Sequence, residues 1–136
     1  MVIREPRSHD RMAFTLMEVL VVVAILVVLA GVGGVYYAKY LNDAKISAAR
    51  IQVKTISDAV GAYNIKHGDW PANLSVLTEK ESDGSQPYLE PDALKTPWGT
   101  MYQYDQSGPN NSGNKPDVWA DGPQGAKIGN WSGQHG

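Results

Sequence analysis

The sequence contains no cysteine among its 136 residues, which excludes disulfide staples, thiolate metal sites and cysteine nucleophiles. It also lacks an excess of charge of either sign, since 12 Lys and Arg against 14 Asp and Glu leave a formal charge of −2. The charges are scattered, so there is no basic face to neutralise phosphates, and nucleic acid is not a partner. His9, His67 and His135 lie far apart without metal-ligand spacing and read as surface or helix-end residues. Equally missing are a nucleophile with a base, a glycine-rich phosphate cradle and a carboxylate pair in a pocket. The chain therefore reads as a non-enzyme that requires no cofactor. A small domain without disulfides must draw stability from packing, a metal ion or assembly with neighbours.

What is present begins with an uncharged stretch of Val, Leu, Ile and Ala over residues 19–38. Twenty helical residues at about 1.5 Å each span about 30 Å, the thickness of a bilayer core. Ahead of it Arg4, Arg7 and Arg11 outnumber Glu5 and Asp10. The positive-inside bias leaves these first residues in the cytoplasm and sends the C-terminal part across the membrane. A conventional signal peptide, cut before Gly31 after the small pair Val28 and Ala30, is the competing reading, and it would leave an exported binding or catalytic domain. Against it, the apolar stretch continues to Tyr37, and Glu18 stands where such a signal would carry a hydrophobe. A carboxylate costs roughly 2.5–3.5 kcal/mol at a membrane centre and less near its edge, so Glu18 calls for a compensating partner or a headgroup position.

The run Met12-Ala13-Phe14-Thr15-Leu16-Met17-Glu18, followed directly by the apolar stretch, resembles the prepilin signal of type IV pilins and pseudopilins. The resemblance implies cleavage between Ala13 and Phe14, N-methylation of Phe14, and an assembly role for Glu18 with the Phe14 amine. Ala13 stands where the family usually has Gly.

Beyond residue 38, apolar positions recur at Ala49, Val53, Ile56, Val60 and Tyr63, steps of four and three along one helical face. This predicts that helix continues to about Lys66 and packs on a sheet. His67-Gly68-Asp69-Trp70-Pro71 supplies the stop, with Gly68 suited to the left-handed residue past a helix end. Gly31, Gly33 and Gly34 fall inside the helix, where each costs about 0.8–1 kcal/mol relative to Ala; they fit close packing between membrane helices or a hinge. Two or three short antiparallel strands follow, carried by Met101-Tyr102-Gln103-Tyr104 and Val118-Trp119-Ala120, with a flexible loop over residues 107–114. Trp98, Trp119 and Trp131 are expected to supply core for so small a head.

Lys95-Thr96-Pro97-Trp98-Gly99-Thr100-Met101-Tyr102, then Asp117-Val118-Trp119-Ala120-Asp121-Gly122-Pro123-Gln124-Gly125 with Ile128-Gly129-Asn130-Trp131, resembles the second half of the type II secretion major pseudopilins. The implied fold is α+β and type IV pilin-like, one long N-terminal helix with a membrane half and an amphipathic half, packed on a small antiparallel sheet with a loop-rich C-terminus. The expected division is a cytoplasmic leader over residues 1–13 that is removed, a membrane and assembly half over 14–38, an amphipathic half over 39–67 and a periplasmic head over 68–136. The implied function is a structural subunit of a pseudopilus in type II secretion, stored in the inner membrane and polymerising with itself and minor pseudopilins. Its further implied partners are the prepilin peptidase/methyltransferase and an inner-membrane assembly platform; a type IV pilin of a surface pilus is the near alternative. The family binds calcium in its C-terminal loop, for which Asp117 and Asp121 are the candidates here, although Gln124 replaces the expected Asp.

Overall fold

The computed structural model describes residues 2, 3 and 13–133. The leader charges Arg4, Glu5, Arg7, Asp10 and Arg11, with His9 and His135, lie outside the described residues. The chain divides into two compact units, Met1–Lys39 and Tyr40–Gly136.

A single helix, α1 (Leu16–His67), contributes to both. In the first unit its large apolar side chains all face outward, from 48% exposed at Val19 to 78% at Leu16. Among the described residues nothing covers them, and this helix is long and apolar enough to cross a membrane. It runs unbroken through Gly31, Gly33 and Gly34, and a Cβ added at any of the three would meet nothing within 4 Å. Among the described residues no contact thus requires glycine there.

In the second unit the predicted stripe is the buried one: Ala49, Val53, Ile56 and Val60, joined by Ala59, with Tyr63 partly covered. The helix stops as its sequence dictates. Gly68, at φ +82°, donates its N–H to the Asn64 carbonyl at 2.7 Å, and Pro71 follows fully buried.

Three strands, β1 (Gln103–Asp105), β2 (Asp117–Asp121) and β3 (Lys127–Gly129), form an antiparallel sheet in that order. Pairing sets Tyr104 opposite Val118 and Ala120 opposite Ile128. Side chains alternate across a strand. Tyr104, Val118, Ala120 and Ile128 therefore face the α1 stripe, together with Leu74, Leu77, Leu89, Leu94 and Tyr102. Ile56, Leu77, Val53 and Val118 are fully buried, each contributing about 1.5–3 kcal/mol of transfer free energy.

Two details differ from expectation. Trp98 packs against the core, but Trp119 and Trp131 pair edge to face on the other side of the sheet, ring centroids 6.2 Å apart, with the Lys127 ammonium 5.2 Å from the Trp119 ring. Strand alternation is the reason, because Val118 and Ala120 already occupy the inward positions of β2. Residues 107–114 form a tied loop with a short 3-10 turn at Pro109–Asn111, closed by hydrogen bonds described below. Gly108 is obligatory within it, since a Cβ would lie 1.9 Å from the Lys115 carbonyl oxygen.

Candidate assembly site

Thr15 opens α1. Its hydroxyl accepts the Glu18 N–H at 3.2 Å, so Thr15 and Glu18 occupy the first and fourth positions of a Thr-x-x-Glu capping box. Glu18 is also the acidic residue of the first turn, where the helix dipole favours a carboxylate by about 0.3–1 kcal/mol. Part of the cost of Glu18 near a bilayer is thereby offset locally. The spacing was readable in the sequence as a helix start. Phe14, 79% exposed, and Glu18 flank one shallow apolar face with Val19, Val22 and Val23. At the other end of the apolar stretch Tyr36, Tyr37 and Tyr40 are exposed, the amphipathic aromatics that settle at a membrane–water boundary.

The two carboxylates expected to share a metal stand at opposite ends of β2. Four residues of strand at about 3.3 Å separate their Cα atoms by about 13 Å, whereas calcium takes its oxygens at about 2.3–2.6 Å. Asp117 is fully buried and accepts three hydrogen bonds. Its Oδ2 accepts the Asn110 backbone N–H at 2.9 Å and the Asn110 amide at 2.8 Å, while its Oδ1 accepts the Asn111 amide at 2.7 Å. Asn111 also donates to Asn130 Oδ1 at 3.0 Å, and that oxygen accepts the Val118 N–H at 3.1 Å. The Asn130 amide donates to Ser57 Oγ and to the Pro116 carbonyl, each at 3.0 Å. This clasp joins the 107–114 loop, β2, the end of β3 and α1 through neutral amides and one carboxylate. Asp121 is exposed and lies opposite Lys127. Among the described residues no three His, Asp or Glu side chains converge on a metal position.

A second cluster pins the helix end. Lys66 bonds Glu81, and also Asp83 at 2.9 Å and Ser85 at 3.1 Å, while His67 Nε2 lies 2.8 Å from Glu81. The Lys66 hydrogen bond, then that of His67, draws the Glu81 carboxyl down from 4.5 to about 2. Ser85 and then Lys66 hold the Asp83 carboxyl below its ordinary range. A carboxyl depressed on folding stabilises the fold above its free pKa and loses that contribution as pH falls through its folded pKa. The difference in Tm between the parent and Lys66→Met is therefore expected to be constant from pH 7 to about 5 and to shrink as pH falls from 4.5 towards 2. Thermal scans across that range check it; a difference independent of pH would mean that Lys66 acts through packing alone.

The sequence profile of the family described as Type II secretion system (T2SS), protein G, matches residues 36–134. The type II secretion system core protein G of Pseudomonas aeruginosa is 32% identical over 140 residues, covering 92% of this chain and 98% of that protein. A fimbrial protein of Neisseria meningitidis serogroup B is 34% identical over 112 residues, 79% of this chain and 64% of its own length. A type IV major pilin protein of Neisseria gonorrhoeae is 32% identical over 111 residues, 79% of this chain and 67% of its own length. With a long helix on a three-stranded antiparallel sheet and a match that runs the length of a core protein G, the chain belongs to the type II secretion protein G family, the major pseudopilins, within the type IV pilin-like fold.

Proposed function

We propose that the mature chain is the repeating subunit of a periplasmic pseudopilus that drives type II secretion. It is held in the inner membrane by the apolar half of α1, N-terminus inward and head outward, and withdrawn from there into the filament. As a pseudopilin it is a structural protein and not an enzyme. The observation that carries the reading is the pairing of an apolar helical half that none of the described residues covers with a sequence that matches protein G over residues 36–134. In the membrane that half is solvated by lipid. In a filament the same surface packs against its copies, and glycines that meet none of the described residues allow neighbouring helices to approach closely. Minor pseudopilins, the prepilin peptidase and methyltransferase, and an inner-membrane platform are the partners that such a route needs. A surface pilus is the second reading, favoured by the neisserial matches, but these cover 79% of the chain against 92% for the core protein G.

Processing tests the route. The mature chain is expected to begin at an N-methylated Phe14, because Ala13, Phe14 and Glu18 stand in the peptidase's pattern. Intact-mass measurement of the membrane-extracted protein reads this directly. A chain beginning at Gly31 would establish a conventional signal peptide and remove the filament reading.

A further inference from the structure

Between α1 and the C-terminal end of the head lies an open groove of about 430 Å³ lined by Arg50, Lys54, Ser57, Lys115 and Trp131. Trp131 forms a fixed wall, since its ring lies so close over Gly129 that a Cβ there would come within 2.3 Å of it. Lys54 pairs with Asp58 at 2.9 Å on the exposed helix surface. Among the described residues Arg50 and Lys115 have no carboxylate within ion-pair distance. The groove is thus cationic beyond what its own Asp58 balances.

The complementary surface is on the other flank of the same helix. Residues 79–92 carry five carboxylates, Glu79, Glu81, Asp83, Glu90 and Asp92, against the single Lys80. Lys66 engages Glu81 and Asp83, and Lys95 reaches Asp92 at 3.3 Å, but Glu79 and Glu90 are exposed with no cation paired to them among the described residues. Their backbone is firmly placed. Leu89 donates its N–H to Leu77 at 3.0 Å, and Gln52 donates to the Ala93 carbonyl at 2.9 Å. Gln52 and Ser57, which bonds the groove's Asn130, are five residues apart on α1, about 140° around its axis. Lys66, nine residues beyond Ser57, lies about half a turn away.

From this opposition we infer that the groove receives the acidic 79–92 edge of a second copy of the chain, Glu79 and Glu90 lying against Arg50, Lys54 and Lys115. Two different, complementary patches on opposite flanks make a head-to-tail contact, which propagates into an open helical array rather than closing a dimer. The inference rests on the pseudopilus reading and adds to it the face by which heads recognise one another.

Charge reversal tests it in the full-length, processed chain. Arg50→Glu with Lys54→Glu, and separately Glu79→Lys with Glu90→Lys, are each expected to weaken association at least about tenfold, read as filament yield. All four together restore it. In the cysteine-free background, Lys54→Cys with Glu90→Cys is expected to give a ladder of oxidised multimers, because each chain then carries both halves of the contact. Tryptophan-monitored unfolding shows that the heads remain folded. Filaments undiminished by either reversal, failure of the four-fold exchange to restore them, or absence of the ladder overturns the inference. If in those cases the parent still polymerises and Glu18→Ala does not, the pseudopilus reading stands; a parent that forms no filaments removes both.

Discussion

Glu18→Ala is expected to leave the chain processed and its head folded while filaments fall by about a hundredfold or more. The carboxylate stands at the start of an otherwise uncharged helix, and its backbone is already part of the Thr15 cap. In a filament its neighbour would be the amine created when the chain is cut before Phe14, contributed by an incoming subunit. Such a pair, once desolvated, fixes the axial register of adjacent helices, and removal of one member leaves the other buried without a partner, at about 3–5 kcal/mol. Each 1.4 kcal/mol is tenfold in association. Glu18→Gln separates the two roles, because Gln serves a capping box as Glu does but carries no charge. Filament yield and secretion that fail in both variants, with normal membrane levels and mature mass, establish the charge as the cause. Recovery in Glu18→Gln alone would assign the effect to the cap, and parental behaviour of both would make Glu18 an incidental headgroup residue.

The second large effect lies in the head. Asp117→Ala deletes the acceptor of three hydrogen bonds from a fully buried position and leaves the Asn110 and Asn111 amides facing a void. Unsatisfied buried groups cost about 1–3 kcal/mol each, so a loss of about 3 kcal/mol is expected. For a domain of this size that lowers Tm by about 12 °C or more. Asp117→Asn, which keeps one acceptor oxygen, should fall between the two. All four tryptophans, Trp70, Trp98, Trp119 and Trp131, lie in the head, so fluorescence follows its unfolding in the detergent-solubilised full chain. Calcium and chelator are expected to give the same midpoint, because amides already occupy both Asp117 oxygens and Asp121 is at the far end of the strand. A midpoint raised by calcium in the parent and unmoved by it in Asp117→Ala would instead show that the ion displaces the amides.

Local physics explains which parts of this architecture were legible in advance. The α1 stripe follows from helical periodicity, and its end from one glycine and one proline, so both were readable from consecutive residues. The strands at Gln103 and Val118 followed from composition, whereas β3 holds three residues, including Gly129, and exists because β2 templates it. The clasp was not legible. Asn110 and Asn111 read as loop composition, and only tertiary folding brings them to Asp117 and Asn130. Asp117 was a metal candidate only through the resemblance to a calcium-binding loop; in the folded chain its buried carboxylate is met by the amides of Asn110 and Asn111. The same holds for Lys66, whose partners lie 15 to 19 residues away across an irregular segment.

The span of the clasp also sets an order of events. Asn130 reaches back 73 residues to Ser57, so its bonds close one of the longest loops in the head, while α1 forms from neighbours four residues apart. Long-range closure is entropically late and slows folding. The apolar stripe of α1 must therefore wait, partly uncovered, until nearly all of the head has been synthesised. Until then Ala49, Val53, Ile56, Ala59 and Val60 lack the cover they have in the folded head, and a nascent chain that stalled before Asn130 would remain recognisable as unfinished.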